Sequence, residues 1–195
     1  MAEILVLVLK TAFAIVLIAT SARFLAQFGR PDPRNPIADT TIRISQPFMG
    51  PLRRVVPGVA GFDISGLVVI WAAQAILAAL LMGLVYNNNP TDFLGPLLVG
   101  ALFATLGLIL EVLRWSMIIV AIGSWLAGGQ PNPLLGFLAQ MIEPFVAPFR
   151  KLNLQVGVLD LSYILAFMVL YIVKMMLVGV AASTIGNIRI LFVGL

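Results

Sequence analysis

An all-α membrane protein is the fold class this sequence predicts: four transmembrane helices arranged as two parallel two-helix repeats, each with a short interfacial or re-entrant helix in its loop. Three observations lead there. Of 195 residues, 61% are hydrophobic and only 10% charged, with a mean hydropathy of +1.08, whereas ordinary soluble domains carry about 25% charged residues. Residues 4–28, 64–86, 97–127 and 161–183 are four apolar stretches, each long enough to cross a hydrocarbon core that needs about 20 helical residues. One segment occurs twice: 35–65 superposes on 132–162 without a gap at an offset of 97 residues, aligning Asn35-Pro36 with Asn132-Pro133, Pro47-Phe48 with Pro144-Phe145, Pro51 with Pro148, Arg53 with Arg150, Asp63 with Asp160 and Ser65 with Ser162. Matches that punctuate turns and caps at one fixed offset mark a duplicated structural unit. The repeats divide as 1–90 and 91–195.

Composition also narrows the chemistry. The chain has no cysteine and no histidine, which removes thiolate nucleophiles, imidazole bases, and Cys or His ligands for zinc or haem. We expect no catalytic residues, no metal site, no cofactor and no enzymatic activity. The net charge of +4 comes from basic residues that flank apolar spans. Anionic lipid headgroups therefore fit as partners and nucleic acid does not.

The first span, 4–28, contains Lys10 and Arg23. Its leading end carries Glu3 and the apolar run is long, so it reads as a span and not as a cleaved signal. Asn35 is a favoured N-cap and Pro36 a favoured first helical residue, as are Asn132 and Pro133. These pairs predict loop helices of about 11 residues that stop near Pro47 and Pro144, too short to cross the bilayer. The first is amphipathic and reads as interfacial; the second is apolar nearly all round. Span 64–86 follows Asp63, placed as its N-cap, and its Ala75, Ala79 and Gly83 spacing suits close helix approach. The stretch 97–127 exceeds what a membrane requires, so that helix tilts, kinks or projects.

Orientation follows from loop charge. Arg30, Arg34, Arg43, Arg53, Arg54, Arg150 and Lys151 all fall on the side joining spans one to two and three to four, against Arg189 opposite. Both duplicated loops are thus expected in the cytoplasm and both termini outside.

Three groups of residues are candidates for function. Arg53, Arg54, Arg150 and Lys151 suit a partner or a lipid phosphate, or serve only to set topology. Asp63 and Asp160 cap their helices, bind a cation, or pair with the arginine ten positions upstream and lock the loop to its own span. Glu111, Arg114, Lys174 and Gln74 lie inside spans, where charge pairs, faces the bundle interior or marks an ion route. Helical rise places Glu111 and Lys174 at one depth, roughly 20 Å in, and Arg114 and Gln74 together at roughly 16 Å.

The run Ile44-Ser45-Gln46-Pro47-Phe48-Met49-Gly50-Pro51-Leu52-Arg53-Arg54-Val55-Val56-Pro57 with Asp63-Ile64-Ser65, and its second copy Glu143-Pro144-Phe145, Pro148-Phe149-Arg150-Lys151 and Asp160-Leu161-Ser162, resemble the YggT family of bacterial membrane proteins. The likeness covers essentially the whole chain. It implies two-span units in a bacterial inner membrane, but no settled activity: bacterial members are associated with osmotic or potassium tolerance and with division or envelope organisation, plastid relatives with cytochrome assembly. The expectation is a scaffold or assembly factor with a membrane-protein partner or a second copy of itself. The alternative is an ion-transport or osmotic-stress component that uses the intramembrane polar layer.

Overall fold

In hydrocarbon a backbone has no hydrogen-bond partner but itself, so each long apolar run closes into one helix. The computed structural model describes residues 2–54, 56, 58, 62–128, 130–152, 155–156 and 159–195; for residues 125, 155–156 and 159–161 the description covers the backbone alone. The helices are α1 (Ala2–Gly29), α2 (Pro36–Leu52), α3 (Ser65–Leu84), α4 (Leu94–Leu126, entered through a 3-10 turn at Pro90–Phe93), α5 (Pro133–Arg150) and α6 (Leu161–Ile185). A two-residue antiparallel pair, β1 (Gln155–Val156) and β2 (Leu159–Asp160), precedes α6. Among the described residues four helices, built on α1, α3, α4 and α6, are long and apolar enough to cross a membrane.

The loop helices differ from the sequence expectation. They do not stop at Pro47 and Pro144 but run on, through Pro47 and Pro51 to Leu52 and through Pro144 and Pro148 to Arg150. Prolines four residues apart place their missing N–H groups on one strip of the helix. The rest of the ladder continues, as Arg53 N–H bonding to Met49 O at 3.0 Å illustrates, and proline's fixed φ suits a helix. At 17 and 18 residues both remain shorter than a span. α2 buries one stripe, Ala38, Thr41, Ser45 and Met49. α5 is set more deeply: Phe137, Leu138, Met141, Ile142 and Val146 are all buried, in one cluster with Leu25 of α1, Met117 of α4 and Ala166 of α6.

Glycine allows α1 to reach α5. A Cβ on Gly29 would lie 2.0 Å from the backbone oxygen of Gln140 and 2.8 Å from the Met141 Cα, so the last turn of α1 crosses the α5 backbone where no side chain fits. On α3 the buried stripe is Ile70, Gln74, Leu77, Ala78 and Leu81. The small-residue row Ala75, Ala79 and Gly83 flanks this stripe and is only partly buried.

Beyond α6 the chain turns at Gly186 (φ +57°) through a 3-10 segment, Gly186–Leu191, and folds back into the bundle. Leu191 and Phe192 join Leu77, Leu81, Leu97 and Ala101 in a second cluster. The backbone oxygen of Gly194 would lie 2.7 Å from a Cβ on Gly107 of α4. Gln74 donates to Val193 O at 2.7 Å and accepts from Val193 N–H at 3.1 Å. One side-chain amide thus supplies both partners that a backbone unit outside helix and sheet needs where water is excluded. Lys10 Nζ also reaches this segment, donating to Ile190 O at 2.5 Å. Leu17, Ile70 and Leu108 pack together as a third cluster.

Candidate functional site

Near the midpoints of α4 and α6, one carboxylate serves three donors. Glu111 accepts from Lys174 Nζ on one oxygen, and from Arg114 Nη2 and Trp115 Nε1 (2.8 Å) on the other. Arg114 and Trp115 stand three and four positions after Glu111, so a single helix presents all three on one side. The Arg114 guanidinium lies 5.3 Å from the centre of the Trp115 ring. Lys174 comes from α6, so the carboxylate ties the two helices together. Each of the three charged side chains is about 20% exposed.

Two residues of the expected polar layer part company. Gln74 is fully buried and committed to Val193, and Arg114 turns to Glu111. Equal depth says nothing about direction around a helix, and Arg114 has its counter-charge one turn away. The Arg114 Nε is buried without a hydrogen-bond partner among the described residues.

In the first loop Arg53 Nε donates to Asp63, whose other oxygen accepts from the Ser65 N–H (3.0 Å) and hydroxyl. Formally α3 is capped by Ile64, which makes no side-chain cap bond. Asp63 stands one residue earlier, holding Ser65 and Arg53 at once. Gln27 of α1 completes the junction, accepting from Asp63 N–H at 2.7 Å and donating to Asp63 O at 3.2 Å. Burial pushes the Asp63 carboxyl up, but the Ser65 bonds and the Arg53 guanidinium outweigh it and hold it below the usual carboxylate range.

In the second loop Arg150 Nη1 donates to both Glu143 oxygens at 2.8 Å and Nη2 to the Tyr163 hydroxyl at 2.6 Å. The side chain of Asp160 lies outside the described residues. The caps are in place: Asn35 Oδ1 accepts from Ile37 N–H at 2.8 Å, and Asn132 Oδ1 from Leu134 N–H at 2.9 Å and Leu135 N–H at 3.3 Å. Asn35 Nδ2 also donates to Pro133 O at 2.8 Å, so the N-termini of the two loop helices touch. The neighbours of the first arginines, Arg54 and Lys151, are exposed and have no side-chain partner among the described residues.

Sequence reading missed Gln27, Trp115, Glu143, Tyr163 and the Arg23 to Ser45 bond (2.9 Å) that fastens α1 to α2. Trp115 was legible from its position four residues beyond Glu111; the others join elements whose packing no local pattern shows. Among the described residues no three His, Cys, Asp or Glu side chains gather to hold a metal. Apolar grooves of about 450 Å³ and 240 Å³ run along the α3/α4 and α4/α6 seams. A third recess of about 770 Å³, at the loop end, is bordered by Asp32, Asn35, Ser124 and Asn132. None of these grooves is lined by Glu111, Arg114 or Lys174.

The family model described as CCB3/YggT matches residues 2–85 and 99–181, one segment in each duplicated unit. The chain is similar to the uncharacterised protein PA0392 of Pseudomonas aeruginosa, 34% identical over 92% of this chain and 90% of the relative. It is also similar to the uncharacterised protein YggT of Escherichia coli (30%, over 94% and 93%) and to an uncharacterised protein from the proC 3′ region of Vibrio alginolyticus (28%, over 82% and 85%). No solved structure matches the chain.

Proposed function

Because the chain belongs to the CCB3/YggT family, we propose that it is a non-enzymatic, multi-pass inner-membrane protein that acts by binding, as a scaffold or assembly factor, through its two duplicated loops. One observation carries this reading. In each loop the first basic residue is engaged within the fold, Arg53 by Asp63 and Arg150 by Glu143 and Tyr163, whereas the second, Arg54 or Lys151, points outward unpartnered among the described residues. A locked arginine next to an exposed cation presents charge at small conformational cost, which suits recognition of an acidic partner surface or a lipid phosphate. The count of seven loop cations against one supports a cytoplasmic position for both loops. Element bounds that recur at the 97-residue offset, and the touching N-termini of α2 and α5, support two parallel repeats about an axis along the membrane normal.

The test separates the two basic positions. Arg54→Gln with Lys151→Gln is expected to abolish co-purification of a stoichiometric partner, or retention of anionic phosphatidylglycerol in mild detergent, with insertion and thermal stability unchanged. Retention at the wild-type level by the double variant overturns the proposal.

A second reading, ion transport in osmotic tolerance, is favoured by the three charges at mid-span. Ion flux into liposomes containing the pure protein, abolished by Lys174→Gln, would support it over binding.

A further inference from the structure

We propose that the α4/α6 seam is a docking surface for a transmembrane helix of a partner protein carrying a carboxylate near its middle. The inference shares with the binding reading only the supposition that a partner exists; it does not depend on the loops.

The argument starts from charge. One carboxylate, Glu111, faces two cations, Arg114 and Lys174, so the cluster carries a surplus positive charge near the midpoint of both helices. It is also rich in donors. Glu111 already accepts three bonds, and Lys174 makes one bond among the described residues with a head group that has three hydrogens. What the cluster lacks is an acceptor with negative charge, and it opens to the membrane through its partial exposure, with Trp115 and Tyr171 exposed beside it. Surplus charge turned toward lipid at mid-depth is strongly disfavoured unless something answers it.

The surrounding surface has the shape for a helix. Only 11% of the most apolar stretch of the α6 span is buried inside the bundle, against 39% for the α3 and α4 spans, so most of α6 awaits lipid or a neighbour. One to three turns from the cluster toward the loop end, Met117, Ile118, Ile122, Tyr163, Ile164 and Phe167 line the apolar groove of about 240 Å³. Ile118 is four positions from Arg114, which puts the groove and the cluster on one continuous face. A helix seated there fills the groove with apolar side chains and brings its carboxylate to Lys174 and Arg114.

Other occupants fit worse. A second copy would set two positive clusters against each other, and Glu111 is the only acidic residue within its spans apart from Glu3 in the first turn of α1. Lipid phosphates sit at the edges of the hydrocarbon, about 15 Å from its centre.

The experiment uses the full chain in phosphatidylcholine vesicles at pH 8.5, with a fluorescent donor on a cysteine placed at Asn88. The acceptor is a synthetic Leu/Ala transmembrane helix bearing one central Glu, Gln or Lys. The Glu helix is expected to associate about tenfold more tightly than the Gln helix, the size of a good interhelical polar contact, and the Lys helix more weakly than either. Lys174→Gln, which keeps the Glu111 to Arg114 pair, is expected to erase the preference for Glu. Arg54→Gln with Lys151→Gln is expected to leave it intact, so failure of the loop reading and failure of this one are told apart. Equal association of the Glu and Gln helices with the wild-type chain overturns the proposal, as does a Glu preference that survives Lys174→Gln. The peptide series on the unaltered protein decides the matter even if that variant does not fold.

Discussion

Glu111 holds three donors, so charge removals around it are unequal in effect. Glu111→Gln strands Arg114 and Lys174 together and is expected to cost about 3 to 5 kcal/mol, the range for breaking a buried ion pair. Lys174→Gln leaves Glu111 with Arg114 and Trp115, and its cost should be nearer 1 to 2 kcal/mol, or about that of one interhelical polar contact. A simple Glu111 to Lys174 pair would make the double variant mild. In the triad that variant still leaves Arg114 without its carboxylate, so it should stay close to Glu111→Gln alone. Thermal unfolding in detergent with intrinsic Trp fluorescence checks the order. A double variant as stable as wild type contradicts the triad. Depth counted from helix ends placed Glu111 beside Lys174 in the sequence, because helical rise is fixed. The same count set Arg114 beside Gln74, where direction around the helix and a closer partner prevailed.

The spans were legible because hydrocarbon imposes both their length and their helical form. The loop helices were legible at their starts, where Asn35-Pro36 and Asn132-Pro133 are strong local signals, but not at their ends. A proline normally closes a helix in water; here the second proline follows at four residues and the ladder continues on its other sides. The crossing of α1 over α5 left no trace in the sequence except a glycine among others. Gly29→Ala is expected to force those two backbones apart and to lower thermal stability by more than 2 kcal/mol, as overpacking against an unyielding neighbour does. Gly128→Ala is a poor control because its φ is +54°, but Gly95→Ala, with nothing near its Cβ, should be nearly neutral. If the two substitutions cost the same in a melting experiment, the close crossing is wrong.

At the 97-residue offset the starts of α2 and α5 coincide, as do the ends of α1 and α4, but the two segments are not used alike. α5 is buried among α1, α4 and α6, whereas α2 covers one edge and buries a single stripe. After α3 the chain passes through the 3-10 turn Pro90–Phe93 into α4, whereas after α6 the 3-10 segment Gly186–Leu191 leads Leu191 and Phe192 back into the bundle. That fold-back was illegible because its backbone is satisfied by Gln74, a residue more than a hundred positions away. The binding account stands or falls on where the exposed cations of both loops lie. Single cysteines at Arg54, Lys151 and Asn88, in a chain that has none of its own, can be labelled in intact cells with an impermeant maleimide. The account predicts that position 88 alone reacts and that 54 and 151 react only after the membrane is opened; labelling of 54 or 151 in intact cells would contradict it.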